Sequence, residues 1–167
     1  VGAGSVASGT GPITPSLPSG LVPGDLLLLF VETVGNRISV ANGDSNLNPS
    51  NNGGTWLAVA RGKASPQATG SSDSDKVQLT AYYSRYNGTQ GPPTTSDSGD
   101  HQLGRILAFR GVVASGVPWD VVAGGTEAWS DTSGSIPGGA VTTVPNTLIV
   151  AAIAGALPDA VGTDNFS

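Results

Sequence analysis

Acidic side chains in two polar loops are the first residues whose chemistry could serve a site. The candidates are Asp73 and Asp75 in one loop, then Asp97 and Asp100 in another, next to the single histidine, His101. Flexible loops rich in carboxylates can bind Ca²⁺. Neither loop has the alternating Asp/Asn spacing with a closing Glu, and solvated turn residues produce the same pattern. We name these four aspartates as a candidate calcium site and expect no other cofactor.

Catalysis has little support in the sequence. A Ser-His-Asp hydrolase would need His101 together with a carboxylate and a serine on a sharp strand-to-helix turn. The sequence contains no Gly-x-Ser-x-Gly motif for such a turn, and it has no Cys to act as a nucleophile or a zinc ligand. We therefore predict that the protein is not an enzyme and that His101 is a surface-loop residue.

Aromatic side chains form a second candidate site for a glycan or a protein partner, and these are Tyr82, Tyr86, Trp119 and Trp129. Two or more rings exposed on one face would make a stacking platform for a sugar. Aromatic residues also fill cores, and the chain has only three each of Trp, Tyr and Phe for this purpose. Use in the core or in an interface is the favoured interpretation, with a glycan platform as the alternative.

The composition predicts which elements must position these residues. The chain has 25 Gly and 12 Pro, and only 11% of its residues are charged, so it is rich in turn formers and poor in helix formers. No window has apolar residues at helical spacing with charged residues on the opposite face. We predict an all-β protein without any helix longer than an isolated turn.

Two apolar runs are expected to be central strands. The first, residues 23–32, begins with a Pro-Gly turn and has six consecutive apolar residues; the second, residues 145–153, repeats the pattern. Between them, residues 76–86 alternate, with Val77, Leu79, Ala81 and Tyr83 predicted on one face and Gln78, Thr80, Tyr82 and Ser84 on the other. This half-buried strand should pair beside one of the central strands.

Shorter segments complete the prediction. Strands are expected at 37–40, 55–61, 103–112, 118–122, 126–129, 139–143 and 147–154. Trp56 should anchor one end of the core, and residues 103–112 are either mostly buried or bulged at Gly104. About eight to ten antiparallel strands with turn-rich connections predict a jelly-roll-like β-sandwich over residues 23–167. Residues 1–22 are a Pro/Gly-rich arm or edge strand, which we expect to pair or pack against neighbouring subunits. We also expect the chain to be part of a longer polypeptide.

Charge and the length of the apolar runs argue against a nucleic-acid partner and against a membrane segment. The formal net charge is −5 and only seven residues are Lys or Arg, which are scattered, so no basic patch is available for nucleic acid. The apolar runs are far shorter than the roughly 20 residues of a spanning helix, so we expect no membrane segment.

The order of several landmarks resembles a recurrent β-sandwich module of phage virion proteins and bacterial surface proteins. The landmarks are Gly24 to Val31, Trp56, Ala81 to Tyr83, Ala108 to Val112, Pro118 to Asp120 and Asn146 to Val150. They cover nearly the whole chain. The resemblance implies a structural or adhesive role and supplies no catalytic residues.

These observations lead to one principal function and two alternatives. We expect a non-enzymatic structural protein of a phage particle, such as a capsid-attached (decoration), neck or tail-fibre component. Its partners would be protein subunits, including copies of itself in a homo-oligomer, and its location would be the virion. A carbohydrate- or receptor-binding adhesion module is the first alternative, and a bacterial extracellular surface or filament domain is the second.

Overall fold

The fold is a single antiparallel sheet in the described part of the chain. The structure is a computed structural model that describes residues 2–34, 52–59, 77–97, 101–122 and 141–154. Six strands and no helix occur in these ranges, which confirms the all-β prediction. None of the described elements forms a second sheet, so the sandwich remains a prediction. The same ranges contain no helix with the length and apolar character needed to cross a membrane.

Three long strands make up most of the sheet. The strands are β1 (Gly2–Ala3), β2 (Ala7–Gly9), β3 (Leu26–Val34), β4 (Leu57–Ala58), β5 (Val77–Arg85) and β6 (Gln102–Phe109). The order across the sheet is β1-β6-β3-β5-β4, and β2 also pairs with β6. The apolar run of β3 therefore lies in the centre, as predicted, with β5 and β6 on either side.

One face of the sheet carries the core. This covered face is formed by Leu27, Leu29, Val31, Tyr82 and Ile106, all of which are buried. Leu29 lies directly opposite Tyr82 on one side and Ile106 on the other. Complete burial of an aliphatic side chain of this size contributes about 1.5–3 kcal/mol. Trp56, which is fully buried in the same cluster, confirms the predicted anchor.

The N-terminal arm supplies the cover over this face. β1 and β2 pair with β6, and Gly4 N donates a hydrogen bond to Ile106 O at 2.8 Å. The arm then brings Ile13 and Pro15 so close to Gly104 that an added Cβ would lie 2.8 Å from Pro15 Cγ and 3.0 Å from Ile13 Cδ1. The register of β6 is continuous through Gly104, so no bulge occurs there. Glycine at this position makes room for the arm.

A buried polar network fastens the arm to the sheet. Ile13 N donates to Thr95 Oγ1 at 3.0 Å, and Thr95 Oγ1 donates to Gln102 Oε1 at 2.7 Å. The Gln102 amide nitrogen donates to Gly11 O and to Ser96 O, each at 2.8 Å. Because Thr95 and Gln102 are fully buried, each of these bonds replaces water that the groups lost on folding.

The predicted alternation of β5 is present, but the face that looked polar is the more deeply buried one. Thr80, Tyr82 and Ser84 are buried, whereas Ala81 and Tyr83 on the other face are only partly buried. The arm determines this outcome because it covers the Tyr82 side. Gln90 Nε2 reaches that side too and donates to Ser84 Oγ at 3.2 Å.

Three predicted strands are wrong where the structure describes them. Residues 118–122 form bends and irregular chain, and residues 147–154 have no strand structure and are largely exposed. The described part of 139–143 is likewise irregular. The predicted strands at 37–40 and 126–129 lie outside the described residues. An apolar run does not form a strand by itself, since strand structure needs hydrogen-bonding partners in a sheet.

Candidate functional site

An ion pair joins the start of β3 to the end of β6. Pro23 and Gly24 form a turn in which Asp25 N donates to Val22 O at 3.1 Å, and the φ of Gly24 is +94°. A left-handed residue at the third turn position favours glycine, so the Pro-Gly pair fits a type II turn. The antiparallel register places Leu26 opposite Phe109, which makes Asp25 and Arg110 neighbours across the two strands.

The Asp25 carboxylate is enclosed and fully engaged. Arg110 Nε and Nη2 donate to its two oxygens at 2.8 and 2.7 Å, and Val22 N donates to Oδ2 at 2.9 Å. The Asp25 side chain is 1% exposed, whereas that of Arg110 is 50% exposed. The Arg110 hydrogen bonds, helped by that from Val22, lower the pKa of Asp25 from 3.8 to about 2. This arrangement fits a structural clasp with no vacant position for a substrate.

The second face of the sheet is mainly apolar and only partly covered. It carries Leu28, Phe30, Tyr83, Leu107 and Phe109, all of intermediate exposure, and the same alternation places Glu32, Arg85 and Arg105 on it. The pairing of Leu28 with Tyr83 and with Leu107 places these three side chains in one row across the three long strands, near the start of β3. A sheet that buries only one side usually presents polar residues on the other. This face therefore has the composition of a contact surface.

Residues 111–120 lie over one end of the second face. The Trp119 ring meets Tyr83 edge-on, with 4.9 Å between ring centroids and an angle of 90°. Arg85 Nη2 donates to Gly116 O at 3.3 Å, while its buried Nη1 has no hydrogen-bond partner. The segment thus covers the end of the face beside β5 and leaves the centre partly exposed.

Asp120 connects this segment to a more distant part of the chain. Its carboxylate accepts hydrogen bonds from Thr143 N, from Thr143 Oγ1 at 2.6 Å and from Val144 N at 3.3 Å. The Thr143 hydrogen bonds, followed by that from Val144, lower the pKa of Asp120. Residues 143 and 144 are consequently held beside Trp119, at the margin of the second face.

The chain that follows exposes an unusual amount of apolar surface. Leu148 is 67% exposed, Ile149 77%, Val150 41% and Ile153 56%. Scattered exposed aliphatic residues are normal, but a contiguous apolar stretch marks a site of interaction. We call residues 147–154 the apolar segment. Together with the second face, it is the candidate functional surface.

The structure separates the aromatic residues predicted as a binding platform. Tyr82 is buried on the covered face, and Tyr86 packs against the same core and donates from its hydroxyl to Gly88 O at 3.3 Å. Trp119 lies over the second face, on the opposite side of the sheet. Trp129 lies outside the described residues. The three described rings do not share a surface.

The acidic residues predicted for calcium are mostly beyond the described ranges. Asp97 is exposed and His101 is partly exposed, while Asp73, Asp75 and Asp100 are not among the described residues. Within the described ranges, no group of three or more His, Asp or Glu side chains is placed to hold a metal ion. The calcium site therefore stays a sequence-based prediction.

Sequence reasoning missed the pairing of Asp25 with Arg110 and that of Asp120 with Thr143. Asp25, Arg110 and Asp120 each belong to a landmark of the resemblance, namely Gly-Asp-Leu, Phe-Arg-Gly and Pro-Trp-Asp. The sequence feature that could have pointed to these pairs is a charged residue placed next to an apolar run. The partners could not be assigned because they are 85 and 23 residues apart in the chain.

Comparison with known proteins found no matching family model, no matching curated protein and no matching solved structure. The resemblance to a virion module consequently rests on the order of the sequence landmarks.

Proposed function

We propose that this chain is a non-enzymatic structural component of a phage particle, such as a capsid-attached, neck or fibre protein, and that it works through protein–protein assembly. The observation that carries the proposal is the exposed apolar segment beside a partly exposed apolar sheet face. A contact between protein chains removes such surface from water, and this burial is the main favourable term in association.

The charge distribution supports an assembly role. Only 11% of the residues are charged, and the second face is mainly apolar along β3. Copies packed side by side would repel one another if each carried many like charges, so a sparsely charged chain suits a repeated assembly.

The surface used for assembly differs from the one expected from sequence. The N-terminal arm was the expected contact with neighbours, but its Ile13 is buried and its backbone pairs with β6 of the same molecule. The apolar segment at 147–154 replaces the arm as the element available to a partner. No specific observation favours the adhesion alternatives, because the described aromatic rings lie on different sides of the sheet.

Immunogold electron microscopy tests the proposed location. An antibody against this chain would be applied to particles released by the cells that encode it, with particles from a strain deleted for the chain as the control. We expect gold at a fixed position on the particle. Labelling confined to the soluble cell fraction, with unlabelled particles, would contradict the proposal.

A further inference from the structure

We propose that Asn52 and Asn87 form a coupled deamidation site, in which folding holds both side chains in the amide form and loss of either amide releases the other. The modification is spontaneous, its only co-reactant is water, and it does not depend on the assembly role. Asn52 precedes Gly53 and Asn87 precedes Gly88 in the chain. An Asn-Gly pair is especially open to this reaction because glycine has no side chain to shield its backbone nitrogen.

The reaction is an intramolecular attack followed by hydrolysis. The backbone nitrogen of the glycine forms a bond to the side-chain carbon Cγ of the asparagine, the Cγ–Nδ2 bond breaks, and ammonia leaves with the proton of the glycine nitrogen. Water then opens the resulting cyclic imide to aspartate or to isoaspartate. The net change converts an amide and water to a carboxylate and ammonium, without any oxidant or reductant. Each event adds a negative charge and removes a hydrogen-bond donor.

The first step of the argument is that the Asn87 carboxamide is held at both of its polar atoms. Its Oδ1 accepts hydrogen bonds from Gln90 N at 2.8 Å and from Thr89 N at 2.9 Å, and its Nδ2 donates to Gly53 O at 2.8 Å. Asn87 N in turn donates to Gln90 Oε1 at 3.2 Å. These bonds fix the plane of the carboxamide, so Cγ cannot turn towards the Gly88 nitrogen without breaking them.

The second step is that Asn52 is held by contacts between the same two turns. Its Nδ2 donates to Pro92 O at 3.2 Å, and its carbonyl oxygen accepts from Gly91 N at 2.9 Å. A Cβ on Gly91 would overlap the Asn52 amide, so the two turns are in close contact. Asn52 and Gly53 both have left-handed backbone angles, with φ of 45° and 81°. The turn at 52–53 is thus fixed against residues 87–92.

The third step is that each asparagine donates from its amide to a backbone carbonyl of the other turn. Asn87 Nδ2 bonds to Gly53 O, and Asn52 Nδ2 bonds to Pro92 O. A carboxylate has no hydrogen to donate and would place a negative charge against a carbonyl oxygen, so conversion of one asparagine loosens both turns. The remaining asparagine then loses its restraint and reacts faster.

The position of the two turns gives the modification a consequence for the fold. Only two residues lie between Gly53 and the fully buried Trp56, and the buried Gln90 donates from its amide to Ser84 Oγ. Deamidation therefore loosens the chain on either side of a core anchor. Local opening makes the asparagines reactive, and the resulting carboxylates are a lasting record of that opening.

A deamidation time course on the intact chain tests the restraint. Folded protein and protein unfolded in guanidinium chloride are incubated at the same mildly alkaline pH and the same temperature. Peptide mapping by mass spectrometry then measures conversion at Asn52 and at Asn87 separately. We expect conversion at both residues to be at least about tenfold slower in the folded chain, because each must wait for a local opening. Equal rates in the folded and unfolded chains would overturn the proposal.

The Asn87→Asp variant tests the coupling between the two turns. It carries the reaction product at one position, and we expect Asn52 to deamidate several-fold faster in the folded variant than in the folded wild type. Asn146→Asp is the matched control, because Asn146 is exposed, has a left-handed φ of 61° and lies outside both turns. The control should leave the rate at Asn52 unchanged.

Two results would overturn the coupling. One is a wild-type rate at Asn52 in folded Asn87→Asp, and the other is an equal acceleration in Asn146→Asp. The reciprocal variant Asn52→Asp, measured at Asn87, makes the same test if Asn87→Asp does not fold. None of these measurements involves particles or oligomers, so their outcome is independent of the proposed function.

Discussion

Asp25 and Arg110 show how a single cross-strand pair fixes the ends of two central strands. The Arg110 guanidinium donates hydrogen bonds to both carboxylate oxygens of Asp25, and its Nη2 also donates to Gly20 O at 2.9 Å. The pair therefore joins the turn before β3, the first residues of the strand and the end of β6. A fork with several fixed donors orients a carboxylate in a way that a lysine ammonium cannot.

The lowered pKa of Asp25 predicts a pH dependence of stability. The pKa falls from 3.8 to about 2 on folding, so the stabilisation is complete above pH 3.8 and disappears as the pH falls through about 2. Asp25→Asn should be less stable than the wild type near neutral pH, and the difference in urea midpoint should shrink towards pH 2. A constant difference across this range would contradict the ion-pair account.

Variants of Arg110 separate charge from geometry in the same experiment. Arg110→Lys keeps the positive charge but loses the fork, whereas Arg110→Gln loses both. We expect the urea midpoint to fall in the order wild type, Lys, Gln near neutral pH. Equal midpoints for the wild type and Arg110→Gln would show that the pair contributes nothing to stability.

Gly104 leaves room for the arm because it has no Cβ. Gly104→Ala would place a Cβ 2.8 Å from Pro15 Cγ, so the arm or the strand must move. Overpacking of this kind costs about 1–3 kcal/mol. Chemical denaturation measures the loss, and Gly11→Ala in the same arm is the matched control because its Cβ would meet nothing within 4 Å. Equal stability of the two variants would contradict the close approach.

At the scale of elements, the arm and the loop at 94–96 are locked to β6 by buried polar groups. Thr95→Val keeps the side-chain shape but removes the hydroxyl, which leaves Ile13 N and Gln102 Oε1 each without one bond. Loss of partners for buried groups costs about 1–3 kcal/mol. We expect this decrease in the free energy of unfolding, together with faster amide exchange at Ile13.

Thr94→Val is the control for the buried hydrogen-bond network of Thr95. The Thr94 hydroxyl bonds to that of Thr14 at 2.9 Å in an exposed position, where water can replace the lost partner. The change in stability should stay within about 0.5 kcal/mol. A loss as large as that of Thr95→Val would show that the effect comes from valine in this loop and not from the buried network.

Local patterns predicted the three long strands, while contacts distant in sequence decided the rest. The apolar run of β3 and the alternation of β5 carry their own signal, and the Pro-Gly turn before Asp25 fits its predicted position. Which side of β5 is buried depends on the N-terminal arm, which packs against Tyr82 from far away in the sequence, so the local alternation does not decide it. The segment at 147–154 was expected to be a buried strand because its composition matches β3, but only a pairing partner makes such a run a strand.

The candidate surface was less predictable than the fold. The sequence highlighted aromatic and acidic residues because their chemistry is conspicuous, yet Tyr82 is in the core and Asp97 lies in an exposed loop. The second face consists mainly of ordinary aliphatic and aromatic strand residues, with Glu32, Arg85 and Arg105 among them. Their exposure depends on the absence of a described layer above them, which no local pattern encodes.

At the scale of the whole molecule, the sheet has two unequal sides. The arm packs on one side and completes the core there, and the buried hydrogen bonds of Gln102 hold the arm in place. The other side has a partly exposed apolar face and an exposed apolar segment beside it. This asymmetry within the described residues is the physical basis for the proposed assembly role, because the partly exposed side would lose water-exposed apolar surface if another chain bound it.

Sedimentation velocity of the intact chain over a range of concentrations tests the assembly claim most directly. We predict that the mass rises with concentration above the 16.5 kDa of one chain. The apolar contact should make this association persist in high salt, which screens charges but does not weaken apolar burial. A single species of 16.5 kDa at every concentration and salt level would contradict self-assembly through the second face and the apolar segment.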